Sequence, residues 1–168
     1  MEKLTDFVSN HMNDDTARLI LDRSKWPGID IELAVNCIES RRKLRGKVQE
    51  WHENPGLIFP AKLSAEQCSS SSTATYKASI ASDIINSSCA VGAHDNHGMK
   101  TGWKLADLTG GLGVDSWFFS KVAGNVLYCE MKRELCMAAR HNFSMLGTEN
   151  ITVTHCAVTP SSCLPADR

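Results

Sequence analysis

The segment Asp107-Leu-Thr-Gly-Gly-Leu-Gly-Val-Asp115 constrains the fold of this chain more tightly than any other stretch. Glycines at 110, 111 and 113 let the backbone turn sharply and let another group come close where a Cβ would block it. The apolar run Trp103-Lys-Leu-Ala106 with Leu108 suits a buried strand before the turn, and Ser116-Trp-Phe-Phe-Ser-Lys-Val122 suits a helix after it. Amides left unpaired where that helix starts would face whatever sits over the turn. Strand, glycine turn and helix in this order read as a loop that holds a nucleoside-containing ligand.

Details of the turn separate two kinds of ligand. A dinucleotide fingerprint has Gly-x-Gly-x-x-Gly, whose third glycine permits close packing of helix on strand. Ser116 stands at that third position here. Asp107, at the carboxyl end of the strand, is placed to accept hydrogen bonds from a cationic amino group, for which a pyrophosphate turn has no use. After the turn Gly124-Asn125, the run Val126-Leu-Tyr-Cys129 ends in Glu130. An acid there, about 20 residues past the glycines, is placed to hold both ribose hydroxyls.

Together these residues resemble motif I and the second-strand acid of class I S-adenosylmethionine-dependent methyltransferases. The resemblance implies an S-adenosylmethionine site made by Asp107, Thr109, Gly110, Gly111, Gly113, Asp115 and Glu130, with Asp107 on the cofactor's amino group and Glu130 on its ribose. Each feature also has an ordinary structural account. Gly-Gly pairs are common in strand-to-helix turns, Asp115 reads by itself as a helix cap, and Glu130 reads as a solvated acid before a helix. Their agreement favours the ligand.

The next elements extend the likeness and then depart from it. Residues 133–147 place apolar side chains at 135, 138, 139, 143 and 146, a helical stripe ending at Gly147, which suits a C′ position. Ile151-Thr-Val-Thr-His-Cys156 reads as a third strand. The family normally follows this strand with an acid that pairs with the adenine amino group, whereas here the stretch is Cys156-Ala-Val-Thr159. A fourth strand, and the Asp-Pro type of motif that nucleic-acid methyltransferases carry at its end, are not found in the tail to Arg168. The expected fold is therefore α/β: a helical N-terminal domain followed by the first half of a Rossmann-like class I methyltransferase sheet, with three parallel strands and an incomplete edge. The boundaries read as 1–60 for the helical domain, 61–100 for a pre-motif helix and flexible loop, and 101–168 for a truncated cofactor-binding domain. The open edge of the first strand would favour self-association.

Upstream, the pattern is helical. Asp14-Asp-Thr-Ala-Arg-Leu-Ile-Leu-Asp22 opens on acids and puts Ala17, Ile20 and Leu21 on one side. After the turn Trp26-Pro-Gly28, residues from Asp30 to about Trp51 predict one longer helix with Ala34, Ile38, Leu44, Val48 and Trp51 buried. Five cations lie within residues 41–47, Arg41, Arg42, Lys43, Arg45 and Lys47. They suit either phosphate contact or a solvated helix face, and the net charge of −1 adds nothing for a nucleic-acid partner.

Leu57-Ile-Phe-Pro60 reads as extended, and the hydroxyl-rich stretch that follows leads into a helix with Tyr76, Ile80 and Ile84 on its apolar side. Ser64-x-Glu-Gln-Cys-Ser-Ser70 followed by Thr73-Ala-x-Tyr-Lys-Ala78 and the glycine turn is similar to a bacterial group of methyltransferases with a C-terminal THUMP-like domain, distant relatives of the trimethylguanosine-synthase type. That likeness implies that Ser70 and Thr73 donate to the cofactor's carboxylate, while N-capping explains the same hydroxyls. Seven cysteines form no Cys-x-x-Cys pair, and Cys89, His94 and His97 read as a flexible insertion, so no metal is expected. Free thiols and the lack of a signal peptide or long apolar run fit a cytoplasmic protein away from membranes.

The resemblance implies methyl transfer from S-adenosylmethionine, with RNA as the acceptor, in a chain whose truncation removes the catalytic motif. No catalytic residue is assigned, because methyl transfer rests on alignment of the sulfonium methyl with a nucleophile. The other reading is a non-catalytic cofactor-binding or protein-interaction fragment.

Overall fold

The computed structural model describes residues 2–89 and 103–159. Six helices precede the sheet: α1 (Glu2–Asn10), α2 (Thr16–Leu21), α3 (Ile31–Leu44), α4 (Gln49–Glu53), α5 (Lys62–Gln67) and α6 (Ser71–Cys89). Then β1 (Lys104–Asp107), α7 (Val114–Phe119), β2 (Asn125–Glu130), α8 (Arg133–Met145) and β3 (Ile151–His155) alternate. The three strands are parallel in the order β1-β2-β3, in register through Ala106, Leu127 and Thr152. This is the expected α/β architecture. Among the described residues β1 pairs with β2 alone and forms an edge.

Helix α7 packs on β1 and β2 and α8 on β2 and β3, and the usual right-handed crossover between parallel strands puts both helices on one face of the sheet. Val126 and Tyr128 point into that face and are fully buried, whereas on the other face Ala106 and Thr152 are exposed and Leu127 is half-buried. The stripe read in residues 133–147 holds: Leu135, Ala138, Ala139 and Phe143 are buried. Its end is a Schellman turn, with Thr148 N donating to Phe143 O at 2.9 Å, Gly147 N to Ser144 O at 3.1 Å, and Gly147 at φ 66°.

One apolar core runs from Phe7 and Leu19 through Ile38, Trp51 and Phe59 to Trp117, Tyr128 and Phe143. Trp51 of α4 meets Trp117 of α7 edge-on at 5.9 Å. The extended segment 57–60 lies against α8, where the Asn142 amide accepts from Ile58 N at 2.8 Å and donates to Ile58 O at 2.9 Å, as a strand neighbour would.

The structure corrects four sequence expectations. The helix expected from Asp30 to Trp51 is two, because Gly46 at φ 70° breaks it and Leu44 O then accepts from both Lys47 N and Val48 N. Leu44, Val48 and Trp51 are nevertheless buried as expected, since α4 returns the chain to the same core. In α2 the buried residue is Leu19, and Ile20 and Leu21 are exposed; six residues are too few for a reliable period. In α6 the buried side is Ala74, Ala78 and Ile85, because small side chains let it approach α7 closely. Tyr76, Ile80 and Ile84 therefore face outward, at 67%, 43% and 60% exposure. Finally, α7 spans Val114–Phe119, two residues earlier than the pattern placed its start.

The cation cluster at 41–47 is largely built into this scaffold. Arg41 is buried and its guanidinium donates to the carbonyls of His52, Asn54, Pro55 and Leu57 at 2.7 to 3.3 Å. Arg42 donates to Met12 O and Asp14 O, Lys43 pairs with Glu66, and Lys47 donates to Ala65 O and Glu66 O.

Candidate functional site

At the carboxyl ends of β1 and β2 the glycine turn folds over the ring of Tyr128. Gly110 N donates to Cys129 O at 2.8 Å, drawing the turn onto β2 so closely that a Cβ on Gly110 would clash with the Tyr128 ring. Gly113 adopts φ 97°, and a Cβ there would meet Phe143 Cζ at 2.8 Å. Both positions accept glycine for want of space, and Gly113 also for its left-handed backbone. Tyr128 Oη donates to Gly111 O at 2.6 Å, so the ring both supports the turn and fixes its middle peptide.

The two strand-end acids have different roles. Asp107 is half-buried and turned inward, its Oδ2 accepting from Ser116 Oγ at 2.6 Å and its Oδ1 from Thr109 N at 3.2 Å. Burial pushes its pKa above the usual carboxylate range, against the pull of those hydrogen bonds. Ser116, fully buried, is thus the partner of Asp107, a role its place in the glycine spacing did not reveal. Glu130 grips the turn from the other strand: Oε2 accepts from Gly111 N at 2.9 Å and Oε1 from Lys132 N at 2.8 Å.

Across the turn lies a cavity of about 320 Å³, lined by Thr109, the turn residues 110–115, the end of α5 and Lys77 of α6. Asp115, expected as a cap, sits within the first turn of α7, whose N-cap is Gly113. Its Oδ2 accepts from Lys77 Nζ at 2.7 Å and Ser69 Oγ at 3.0 Å, and Lys77 Nζ also reaches Ser69 Oγ at 2.9 Å. Ser70 and Thr73 do not line the cavity; they bond each other at the start of α6, with Thr73 N donating to Ser70 Oγ at 3.2 Å. The structure thereby brings Thr109, Gly110, Gly111, Gly113 and Asp115 together around one space, with Glu130 and Asp107 holding its wall. Sequence reasoning missed Lys77 and Ser69. The available signal was that α6 carries one cation in nineteen residues.

A larger cavity, about 550 Å³, lies between α3, residues 58–60 and α8, with Leu33, Ile58, Pro60 and Met137 around it. It has neither the glycine turn nor a paired cation and acid, both of which line the smaller one. Beside the site, burial pushes the Cys129 thiol up to about 12, which keeps it protonated and inert. Cys156, where the adenine-binding acid was sought, donates its amide to Glu130 O at 3.0 Å. Among the described residues no three His, Cys, Asp or Glu side chains are arranged to hold a metal, and no helix is long and apolar enough to cross a membrane. His94 and His97 lie outside the described residues.

Among solved structures the chain is similar to one described as "putative methyltransferase from Porphyromonas gingivalis W83", with a TM-score of 0.63 and 27% sequence identity. The fold is α/β and methyltransferase-like. The match covers 90% of this chain and 33% of that one, so the chain spans about a third of the length of its structural neighbour. It matches no family model and none of the curated proteins.

Proposed function

We propose that this chain carries the S-adenosylmethionine-binding half of a methyltransferase, and that the acceptor is RNA. The observation that supports it best is Glu130 at the end of β2, fixed by the Gly111 and Lys132 amides beside a glycine turn that follows β1. A carboxylate so held keeps lone pairs for two neighbouring ribose hydroxyls, each a charge-assisted hydrogen bond. The similarity to a structure described as a "putative methyltransferase" points the same way. S-adenosylmethionine supplies an electrophilic methyl group on a sulfonium; the protein's part is to hold the nucleoside, turn the amino-acid end and exclude water.

Residues here fit such a cofactor. Glu130 would hold the ribose hydroxyls, the glycine turn would leave room for the backbone to approach the thioether, and the polar cavity beside the turn would take the amino-acid end. Isothermal titration with S-adenosylhomocysteine tests this reading. Wild type should bind, and Glu130→Ala should weaken binding at least tenfold; no heat at millimolar ligand would overturn it.

The RNA acceptor rests on the likeness to methyltransferases with a THUMP-like domain. Arg41, Arg42, Lys43 and Lys47 already hold protein groups, so contact with phosphates has to come mainly from elsewhere. Filter retention of RNA at several salt concentrations checks this, and a salt-independent signal would count against phosphate contact. The second reading, a cofactor-binding or interaction fragment, draws on the β1 edge and the exposed α6 stripe, which together would support self-association. Sedimentation equilibrium separates the two.

A further inference from the structure

We infer that the Lys77–Asp115 pair receives the amino-acid end of the ligand, Lys77 its carboxylate and Asp115 its ammonium, in place of Asp107, Ser70 and Thr73. The inference rests on the methyl-donor reading and changes which residues that reading uses. Among the described residues Lys77 and Asp115 are the one cation and the one carboxylate lining the cavity. They stand 2.7 Å apart, so opposite charges are already side by side at the wall the ligand would touch.

Free valences favour the same pair. Lysine has three donors; two of those on Lys77 are taken by Asp115 and Ser69, and its side chain remains 44% exposed. Asp115 Oδ2 takes Lys77 and Ser69, while its Oδ1 is buried with no hydrogen-bond partner at all. A carboxylate with one oxygen left without a partner is not fully engaged by the protein, and at 26% side-chain exposure on the cavity lining it can still accept from a ligand ammonium. An α-amino acid end presents that ammonium and a carboxylate together, so it can bridge both halves of the pair.

The other candidates are already engaged. Both oxygens of Asp107 accept protein hydrogen bonds, from Ser116 and Thr109, and it does not line the cavity. Its burial also disfavours the anionic form that an ammonium needs. The Ser70 hydroxyl bonds Ser72, Thr73 Oγ1 and Thr73 N, which places it at the start of α6 as structure and away from the cavity.

The test compares S-adenosylhomocysteine with 5′-methylthioadenosine, which keeps the nucleoside and thioether and lacks the amino-acid carbons. Titrations use the full chain, with far-ultraviolet circular dichroism to establish that each variant is folded. Lys77→Met and Asp115→Asn should each weaken S-adenosylhomocysteine about tenfold or more and leave 5′-methylthioadenosine within twofold, and Lys77→Arg should recover part of the loss. Unchanged S-adenosylhomocysteine affinity in Lys77→Met, or equal losses for both ligands, overturns the inference while the methyl-donor reading stands. If wild type binds neither thioether, the reading falls and the inference with it.

Discussion

Arg41 and Lys77 are two cations on the helical part of this molecule, and they are used in opposite ways. Arg41 is buried and gives its guanidinium to four backbone carbonyls of residues 52–57. Lys77 remains half in solvent, paired with an aspartate at the rim of a cavity. A planar fork held by carbonyls cannot exchange partners without unfolding the turn it supports, whereas an ammonium beside a carboxylate can add a third group without moving. One cation is a structural clamp, and the other is available to a ligand.

Removing the clamp should give the largest effect. Arg41→Ala strands several buried carbonyls, and the cost is about 3 kcal/mol or more. Urea unfolding should show it as a marked drop in midpoint, and a shift equal to that of an average surface substitution would mean that the clamp adds nothing. The Lys77 variants should fold normally, which is the other half of the contrast.

Asp107 sharpens the comparison, because it is a carboxyl turned inward and held by the neutral donors Ser116 Oγ and Thr109 N. Its folded pKa is raised by burial, so its contribution to stability is complete below the unfolded value and is lost as pH rises through the folded one. Asp107→Asn should therefore raise the melting temperature at neutral pH, with the gain shrinking to nothing as pH falls below the ordinary carboxylate range. A variant that melts lower than wild type at pH 7 would show that the ionised carboxylate, and not its burial, dominates.

The smallest effect belongs to the outward stripe of α6. Ile80→Asp should change stability by no more than about 0.5 kcal/mol, since Ile80 is 43% exposed. Ala78→Asp, two residues away on the buried side, should be far worse. Similar losses in the two variants would mean that the stripe is covered.

Much of the sheet was legible. Each strand is a short apolar run closed by a turn, and the glycine turn, α8 and its Gly147 ending follow from local rules that the sequence displays directly. The core positions at 34, 38, 44, 48 and 51 were visible too, although the helix that carries them is broken at Gly46. What escaped depends on contacts distant in sequence. Lys77 meets Asp115 across 38 positions, and the carbonyls that Arg41 holds lie 11 to 16 residues downstream. Ser116 was seen as the lack of a glycine, when its hydroxyl is the group that holds Asp107. In α6 the large side chains drew the eye, yet alanines make the contact because only they let two helices come close.

The Asn142 amide has a consequence for how the chain unfolds. It joins Ile58 to α8 across 84 positions of sequence, so segment 57–60 is closed onto the sheet half by one side chain acting as a length of β-ladder. With Trp51 packed on Trp117 in the same core, the helices cannot melt away and leave the strands standing. Fluorescence from the tryptophans and the far-ultraviolet signal should fall together in a single cooperative transition.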